Sequence, residues 1–451
     1  MKKISLSNGM KNVARISSGT IAGQIISFFS LPIIARIYGA EVCGIWALFN
    51  SIATIINSFS DLGLTNAIMI EEDEEASLRL YTVLSTIVMG ISIIAGFVAI
   101  IYYSILPSNM GLNNLFIGML IAILVFTHQQ TQICYTWLNK KGKYEILMKN
   151  PVINNSIIGI VAIGLGLLGI KNYGYYIATI LGQTITLLHM KRFLPKKMFS
   201  LKVLDYRKVF SNKKEFIKYQ LPTNMISQLK NQLPVFLMET FFGTKMLGYY
   251  SVSVRVLNIP ITLLARALGR VFFQTISDMK RNGEEIGGFA YRNIVKAMKF
   301  AIVPMVFLVA MGDIFILILY GREYEIAGTM LQIVSFKNFF TFLMMSSQGI
   351  TITINKQKYA MISCIMQSIG YIIGLGGGKL LFDDVYIGLL LMSIMFIIVQ
   401  VVYFCSLFKA MEVSWKKYLK DVIFSLLIIL AGAVIVRLIL NLVLRLFEIS
   451  I

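Results

Sequence analysis

The sequence predicts an all-α polytopic membrane protein with twelve or thirteen transmembrane helices, and three observations predict it. Of its 451 residues 57% are hydrophobic and only 14% charged, with a mean hydropathy of +0.74. Soluble globular chains carry about 25% charge, so water could not solvate this surface and lipid can. Apolar runs of about 20 residues recur along the chain, enough to cross a hydrocarbon layer of ~30 Å. Lysine and arginine gather in alternate connections between these runs. That alternation is the positive-inside pattern of multi-pass proteins.

Thirteen hydrophobic segments follow: 16–38, 43–70, 79–106, 113–138, 150–170, 173–190, 219–242, 246–276, 297–320, 326–354, 359–382, 385–408 and 421–447. The runs are unbroken, whereas a barrel would show alternating ten-residue strands. Helices satisfy their own backbone where no water can. The last segment is long and holds Arg437 midway, so it reads as one tilted helix or as a helix followed by an interfacial piece. With a cytoplasmic N-terminus, 29 of the 42 basic residues fall in inside connections. One inside loop, EEDEEAS at 71–77, is acidic instead. Acidic residues weigh little in the rule, so the topology stands.

The most basic stretch, 191–218, divides the chain. It reads either as a linker lying on anionic headgroups or as a solvated loop that only sets topology. The expected organisation is an N-terminal bundle at 1–190, the linker at 191–218, a C-terminal bundle at 219–410 and an additional hydrophobic segment at 411–451. A faint internal repeat supports it. Residues 33–55 lie over 237–259, so that Gly39 meets Gly243, Gly44 meets Gly248 and Trp46 meets Tyr250. Repeats of this kind build transporters with the substrate between the halves.

Charged groups deep in a bilayer cost roughly 2.5–3.5 kcal/mol each, so each marks a candidate site. Lys230, Arg255 and Lys337 lie deepest, and Arg255, Arg266 and Arg270 share one helical face, a basic stripe leading from mid-membrane towards the cytoplasm. Asn224, Gln228 and Asn231 follow helical spacing beside Lys230, and Thr341 and Gln348 follow Lys337. These residues form an expected binding set for an anionic ligand. Snorkelling to the interface is the competing account for Arg266 and Arg270. An ion pair, with Glu239 or Asp313, is the competing account for the deeper three. Asp61 is the mid-span acid of the first half, a candidate for proton or sodium coupling or a local cap. The polar run THQQTQ at 127–132 either lines a cavity or joins helices.

Other chemistry is not expected. Cys43, Cys134, Cys364 and Cys405 are scattered, and His128 and His189 have no partner at metal-ligand spacing. The pattern predicts no metal, no cofactor and no catalytic centre. GLGGGK at 374–379 lacks the phosphate-loop frame and suits close packing or a turn. The net charge of +20 belongs to the loops, so no nucleic-acid partner is expected.

Several segments carry a family resemblance. SGTIAGQIISFFSLPIIARIYGAEVCGIWALFNSI, then FSDLGLTNAI, and in the second half LPVFLMETFFGTKMLGYYSVSVRVLNIPITLLARALGRVFF and ILYGREYEIAGTMLQIVSF, resemble polysaccharide flippases of the Wzx type. These belong to the multidrug/oligosaccharidyl-lipid/polysaccharide exporter superfamily. The resemblance implies two six-helix bundles in a V around a central cationic cavity. It implies alternating-access transfer of undecaprenyl-pyrophosphate-linked oligosaccharide repeat units, for O-antigen or capsule, from the cytoplasmic to the periplasmic face of the bacterial inner membrane. It also implies membrane lipids, a polysaccharide polymerase and a chain-length regulator as partners. A cation-coupled drug antiporter of the same superfamily is the alternative, and would place carboxylates in the cavity.

Overall fold

A computed structural model of the chain describes residues 8–105, 112–260 and 264–446. The expected cytoplasmic start at 1–7, the end of the third span at 106 and residues 447–451 of the additional segment lie outside them. Among the described residues the regular structure is helical throughout. Two compact units divide at 232/233.

The first unit holds α1 (Asn8–Ser60), α2 (Ala67–Ile70), α3 (Glu74–Ile105), α4 (Asn114–Lys140), α5 (Tyr144–Leu167), α6 (Gly174–Lys191), α7 (Val203–Asn212) and the first part of α8 (Lys214–Phe242). The second holds the rest of α8, then α9 (Thr244–Pro260), α10 (Arg266–Arg281), α11 (Ile286–Tyr320), α12 (Glu325–Ser346), α13 (Ile350–Thr353), α14 (Gln357–Gly377), α15 (Val385–Ala410) and α16 (Trp415–Leu446). The chain is an all-α polytopic membrane protein. Among the described residues nine helices are long and apolar enough to cross a bilayer alone, the bent α1 counted once. The shorter or more polar α6, α8 and α9 occupy the remaining expected segments.

Side-chain placement follows lipid rather than water as solvent. Phe29, Ile94, Phe97, Phe307, Ile318 and Leu438 are exposed. Among the nine apolar spans α4 and α12 are the most enclosed, with 56% and 61% of an apolar 18-residue stretch buried against 22–39% in the other seven. Serine and threonine hydroxyls in the spans return hydrogen bonds to their own helix, as Thr127 Oγ1 does to Ile123 and Ser335 Oγ to Leu331. That local bond lets a hydroxyl sit in hydrocarbon at little cost.

Small residues bring helices together. Gly19 and Gly23 on α1, one turn apart, press on the α5 backbone at Met148 and Pro151; a β-carbon at Gly23 would fall 2.8 Å from the Pro151 carbonyl. Asn155 Nδ2 donates to the Gly23 carbonyl at 2.9 Å, and Tyr38 Oη donates to the Ala162 carbonyl at 2.7 Å. Close backbone approach of this kind drives association in lipid, where no hydrophobic force acts between helices. In the second unit Gly374 and Gly378 face α15 at Met392 and Gly388, which accounts for the glycine run at 374–379.

The internal repeat has a conformational basis. Gly39 (φ 78°) bends α1 into two legs, and Gly243 (φ 82°) turns α8 into α9. Both corners need a positive φ that glycine alone adopts freely. The paired aromatics Trp46 and Tyr250 are both buried.

Three expectations change or sharpen in detail. The second span stops at Ser60 instead of reaching 70, because Leu62 (φ 53°) and Gly63 (φ 72°) make a turn before the short α2. The additional C-terminal segment runs as one helix through Leu446. Within the 191–218 stretch, residues 203–212 form α7 and residues 214–218 begin α8, which packs at Gly63 through Gln220 and Leu221. In the eighth expected span, 246–276, residues 261–263 lie outside the described ones; α9 precedes them, and the amphipathic α10 that follows carries Arg266 and Arg270 exposed.

The acidic loop at 71–77 explains the docking of the 191–218 stretch. Lys213 pairs with Glu71 at 2.5 Å, and Arg79 with Asp205 at 3.3 Å. Lys140 reaches the Glu71 carbonyl and the Ser77 hydroxyl, and Lys141 pairs with Glu74. Ser200 donates to Asp205 at 2.6 Å, and Val209 of α7 is buried. The Ser200 hydroxyl, and after it the Arg79 charge, hold the Asp205 carboxyl below the usual carboxylate range. A depressed carboxyl contributes stability above its unfolded pKa and loses it as pH falls through the folded one.

Two outcomes test this architecture. Gly23→Leu should destabilise the detergent-purified protein by about 1–3 kcal/mol through forced overpacking. Gly164→Leu, where a side chain meets open space, should leave the melting temperature unchanged; equal shifts would refute the α1–α5 seam. Asp205→Asn should speed tryptic cleavage within 191–213 several-fold at pH 7.5, and an unchanged rate would refute the docking of α7.

Candidate functional site

The enclosed helix α12 carries the deep cation of the second unit. Lys337 is half-buried, and its Nζ lies 5.4 Å from the ring centroid of Tyr371 on α14 and 5.5 Å from that of Phe396 on α15. The two rings stack nearly parallel, 5° apart with centroids at 6.1 Å. A cation over aromatic faces gains about 2 kcal/mol or more once desolvated.

Helical spacing gathers polar groups around this lysine. Gln367 and Tyr371 share one face of α14; Ser393, Phe396 and Gln400 share one face of α15. Gln400 Nε2 donates to Met344 Sδ on α12, and Gln367 Nε2 donates to Ser363. The carbonyl oxygens of Gln367 and Gln400, the Ser393 hydroxyl and the Asn338 amide nitrogen are buried with no hydrogen-bond partner. Unsatisfied polar atoms are rare in folded interiors and invite a ligand or water. Tyr371, Phe396, Gln367, Ser393 and Gln400 were not anticipated from sequence. Isolated glutamines at helical spacing inside apolar runs are the signal that would have found them.

The other candidates divide between the units. Lys230 and Gln228 are half-buried and Asn231 exposed on the part of α8 that belongs to the first unit. Arg255 is half-buried on α9 of the second unit. Arg266 and Arg270 stand exposed on the amphipathic α10. Thr341 Oγ1 returns a bond to the Lys337 carbonyl.

Of the two acids weighed as counter-ions, Asp313 on α11 pairs with Arg437 of α16 at 2.8 Å, and the same arginine also donates to the Ala310 carbonyl. Gly328 lets α12 pass close to Asp313, and Gln332 donates to it at 3.2 Å. Glu239 accepts the Thr244 hydroxyl at 2.7 Å through one oxygen, while its other oxygen is buried without a hydrogen-bond partner. Asp61 is buried, and its two oxygens accept the backbone N–H of Gly63 at 3.0 Å and of Thr65 at 3.2 Å. That commitment to the turn supports the capping role over ion coupling.

Comparison places this helical membrane bundle in a family. The family described as "Polysaccharide biosynthesis protein" matches residues 33–329, and the chain belongs to it. The succinoglycan biosynthesis transport protein ExoT of Rhizobium meliloti (strain 1021) is 22% identical over 317 residues, 68% of this chain. The chain spans only 61% of that relative's length. Among solved structures, the lipid II flippase MurJ in an inward closed conformation superposes with a TM-score of 0.69 at 17% identity, over 96% of this chain and 99% of that one. An inward-facing multidrug resistance MATE transporter of the MOP superfamily superposes at 0.63 and 15% identity, over 90% and 99%. The fold is thus that of the superfamily, and these relatives are transporters and flippases rather than enzymes.

Removing one partner of the Arg437–Asp313 pair strands the other in the membrane. Arg437→Leu should therefore destabilise the protein more than Arg437→Leu combined with Asp313→Leu, with a coupling of roughly 1–3 kcal/mol. Additive losses in a double-mutant cycle would show that the pair does not anchor α16.

Proposed function

We propose that the chain transfers undecaprenyl-pyrophosphate-linked oligosaccharide repeat units across the bacterial inner membrane by alternating access, for surface polysaccharide such as O-antigen or capsule. The observation that carries this reading is Lys337, a basic side chain on α12 lying against the stacked Tyr371 and Phe396. Membership of a polysaccharide biosynthesis family and likeness to a transport protein and a flippase support it.

The chemistry agrees. A diphosphate cannot cross hydrocarbon bare, and its oxygens seek charge-assisted donors. At 4 Å a single charge pair yields ~1 kcal/mol in water but ~4 kcal/mol at an effective dielectric of 20. A few half-buried cations therefore outperform many solvated ones. Lys337 and Arg255 serve as the principal phosphate-binding groups, with Lys230, Gln228 and Asn231 on α8 contributing polar contacts. Arg266 and Arg270 serve at the cytoplasmic headgroup region, attracting anionic lipid. The distribution of basic residues among the connections supports a cytoplasmic N-terminus. A polymerase and a chain-length regulator would draw on the delivered units. The antiporter alternative expects a carboxylate where α12 carries a lysine.

Lys337→Gln and Arg255→Gln should each abolish surface-glycan export while membrane levels of the protein stay normal, and Lys337→Arg should restore part of it. Wild-type glycan display in both neutral variants would remove the proposed site.

A further inference from the structure

The first unit holds a basic cavity of 380 Å³ at the end of its bundle where α1 and α5 begin and α6 ends. Arg15 of α1, Lys143 and Lys149 at the start of α5, and His189 of α6 stand in its wall. Three permanent cations thus share that wall with one carboxylate, Glu145. All of these residues belong to the first unit, and the proposed transport site uses none of them.

Neighbouring lysines are committed to protein partners. Lys140 reaches the Ser77 hydroxyl and Lys141 pairs with Glu74. Beyond the turn at Gly142 (φ 67°) the pattern changes. Arg15, Lys143 and Lys149 are exposed, and among the described residues none of them takes part in an ion pair. No side chain caps the start of α5, so the partial positive charge of that helix end adds to theirs. Like charges gathered without counter-ions repel one another, and a bound anion relieves the repulsion.

The surroundings say which anion fits. Leu181, Ile185 and Leu188 recur at helical spacing on α6 and are 39%, 39% and 54% exposed. His189 follows Ile185 by one turn and brings that apolar stripe to the cavity, where Phe193 is also exposed. A soluble anion gains nothing from such a stripe, whereas an amphiphile covers it. The cavity also lies where the apolar span of α5 begins, the level of lipid headgroups in a bilayer. Lysine binds phosphate as a compact point charge. We infer that this cavity binds the phosphate of an anionic phospholipid, whose acyl chains lie along the α6 stripe. Basic pockets at the ends of transmembrane helices hold anionic headgroups in this way. One headgroup then ties α1, α5 and α6 together at this end of the unit. The inference does not depend on which molecule the chain transports.

The test titrates the whole chain in detergent with dioleoylphosphatidylglycerol, dioleoylphosphatidylcholine or inorganic phosphate. Bound lipid is read by native mass spectrometry, and stability by the melting temperature. Phosphatidylglycerol should bind wild type more tightly than phosphatidylcholine and raise its melting temperature. Lys143→Gln combined with Lys149→Gln, both at exposed positions, should weaken phosphatidylglycerol binding about tenfold and leave phosphatidylcholine binding unchanged. Lys143→Arg combined with Lys149→Arg should keep the wild-type preference. Lys416→Gln combined with Lys420→Gln removes the same charge from exposed positions at the start of α16, and should change neither affinity. Equal weakening by the two charge-matched pairs overturns the inference, because the attraction then belongs to net charge rather than to the cavity. An equal rise in melting temperature with inorganic phosphate also overturns it, in favour of a soluble phosphate compound.

Discussion

Hydrocarbon offers no partner to a polar atom, and most of this structure follows from that constraint. Backbone groups close on themselves in helices. Hydroxyls fold back onto the preceding turn. The Arg437 guanidinium, a charge too costly to leave bare in lipid, finds Asp313 and the Ala310 carbonyl, and so binds α16 to α11. Against that economy, the groups left without protein partners stand out. Among the described residues they lie on α12, α14 and α15 at Asn338, Gln367, Ser393 and Gln400, on α5 at Asn150 and Asn154, and singly on α1, α4, α8 and α16 at Asn57, Gln130, Glu239 and Tyr418. Such exceptions are the places where a transported molecule could supply what the protein withholds.

The same solvent dictates how the helices meet. With no water to expel from between them, contact must come from shape, and glycine supplies it at Gly19, Gly23, Gly374 and Gly378. The corner glycines Gly39 and Gly243 give each unit the same opening hairpin. Of the nine apolar spans α4 and α12 are the most enclosed, and each carries the distinctive polar residues of its unit. The two interiors differ in charge: a cavity beside α4 has no charged side chain in its wall, whereas α12 carries Lys337.

Much of the fold was legible from residues alone. Span length, the lysine and arginine alternation and the paired glycines are direct imprints of bilayer thickness, topology and backbone conformation. The end of α1's second leg was missed, because Leu64, Ala67 and Ile68 continue the apolar run past the Asp61 turn while packing as buried core. The acidic loop at 71–77 looked like an exception to topology; it is the docking surface for Lys213, and only tertiary contacts reveal that. Of the candidate site, the cations were visible since charge is conspicuous in apolar sequence. Tyr371 and Phe396 were not, because aromatics are ordinary in spans and their meaning arises only from facing Lys337.

The central claim is that a charged, hydroxylated lipid headgroup crosses the bilayer through this chain. Proteoliposomes loaded on both leaflets with the purified lipid-linked oligosaccharide test it most directly, read by the share of headgroups open to a membrane-impermeant lectin. The account predicts that the protected inner-leaflet pool becomes reachable over time only in vesicles containing the protein. A pool that stays protected, as in protein-free vesicles, while the same vesicles expel an organic cation down a proton or sodium gradient, would contradict it.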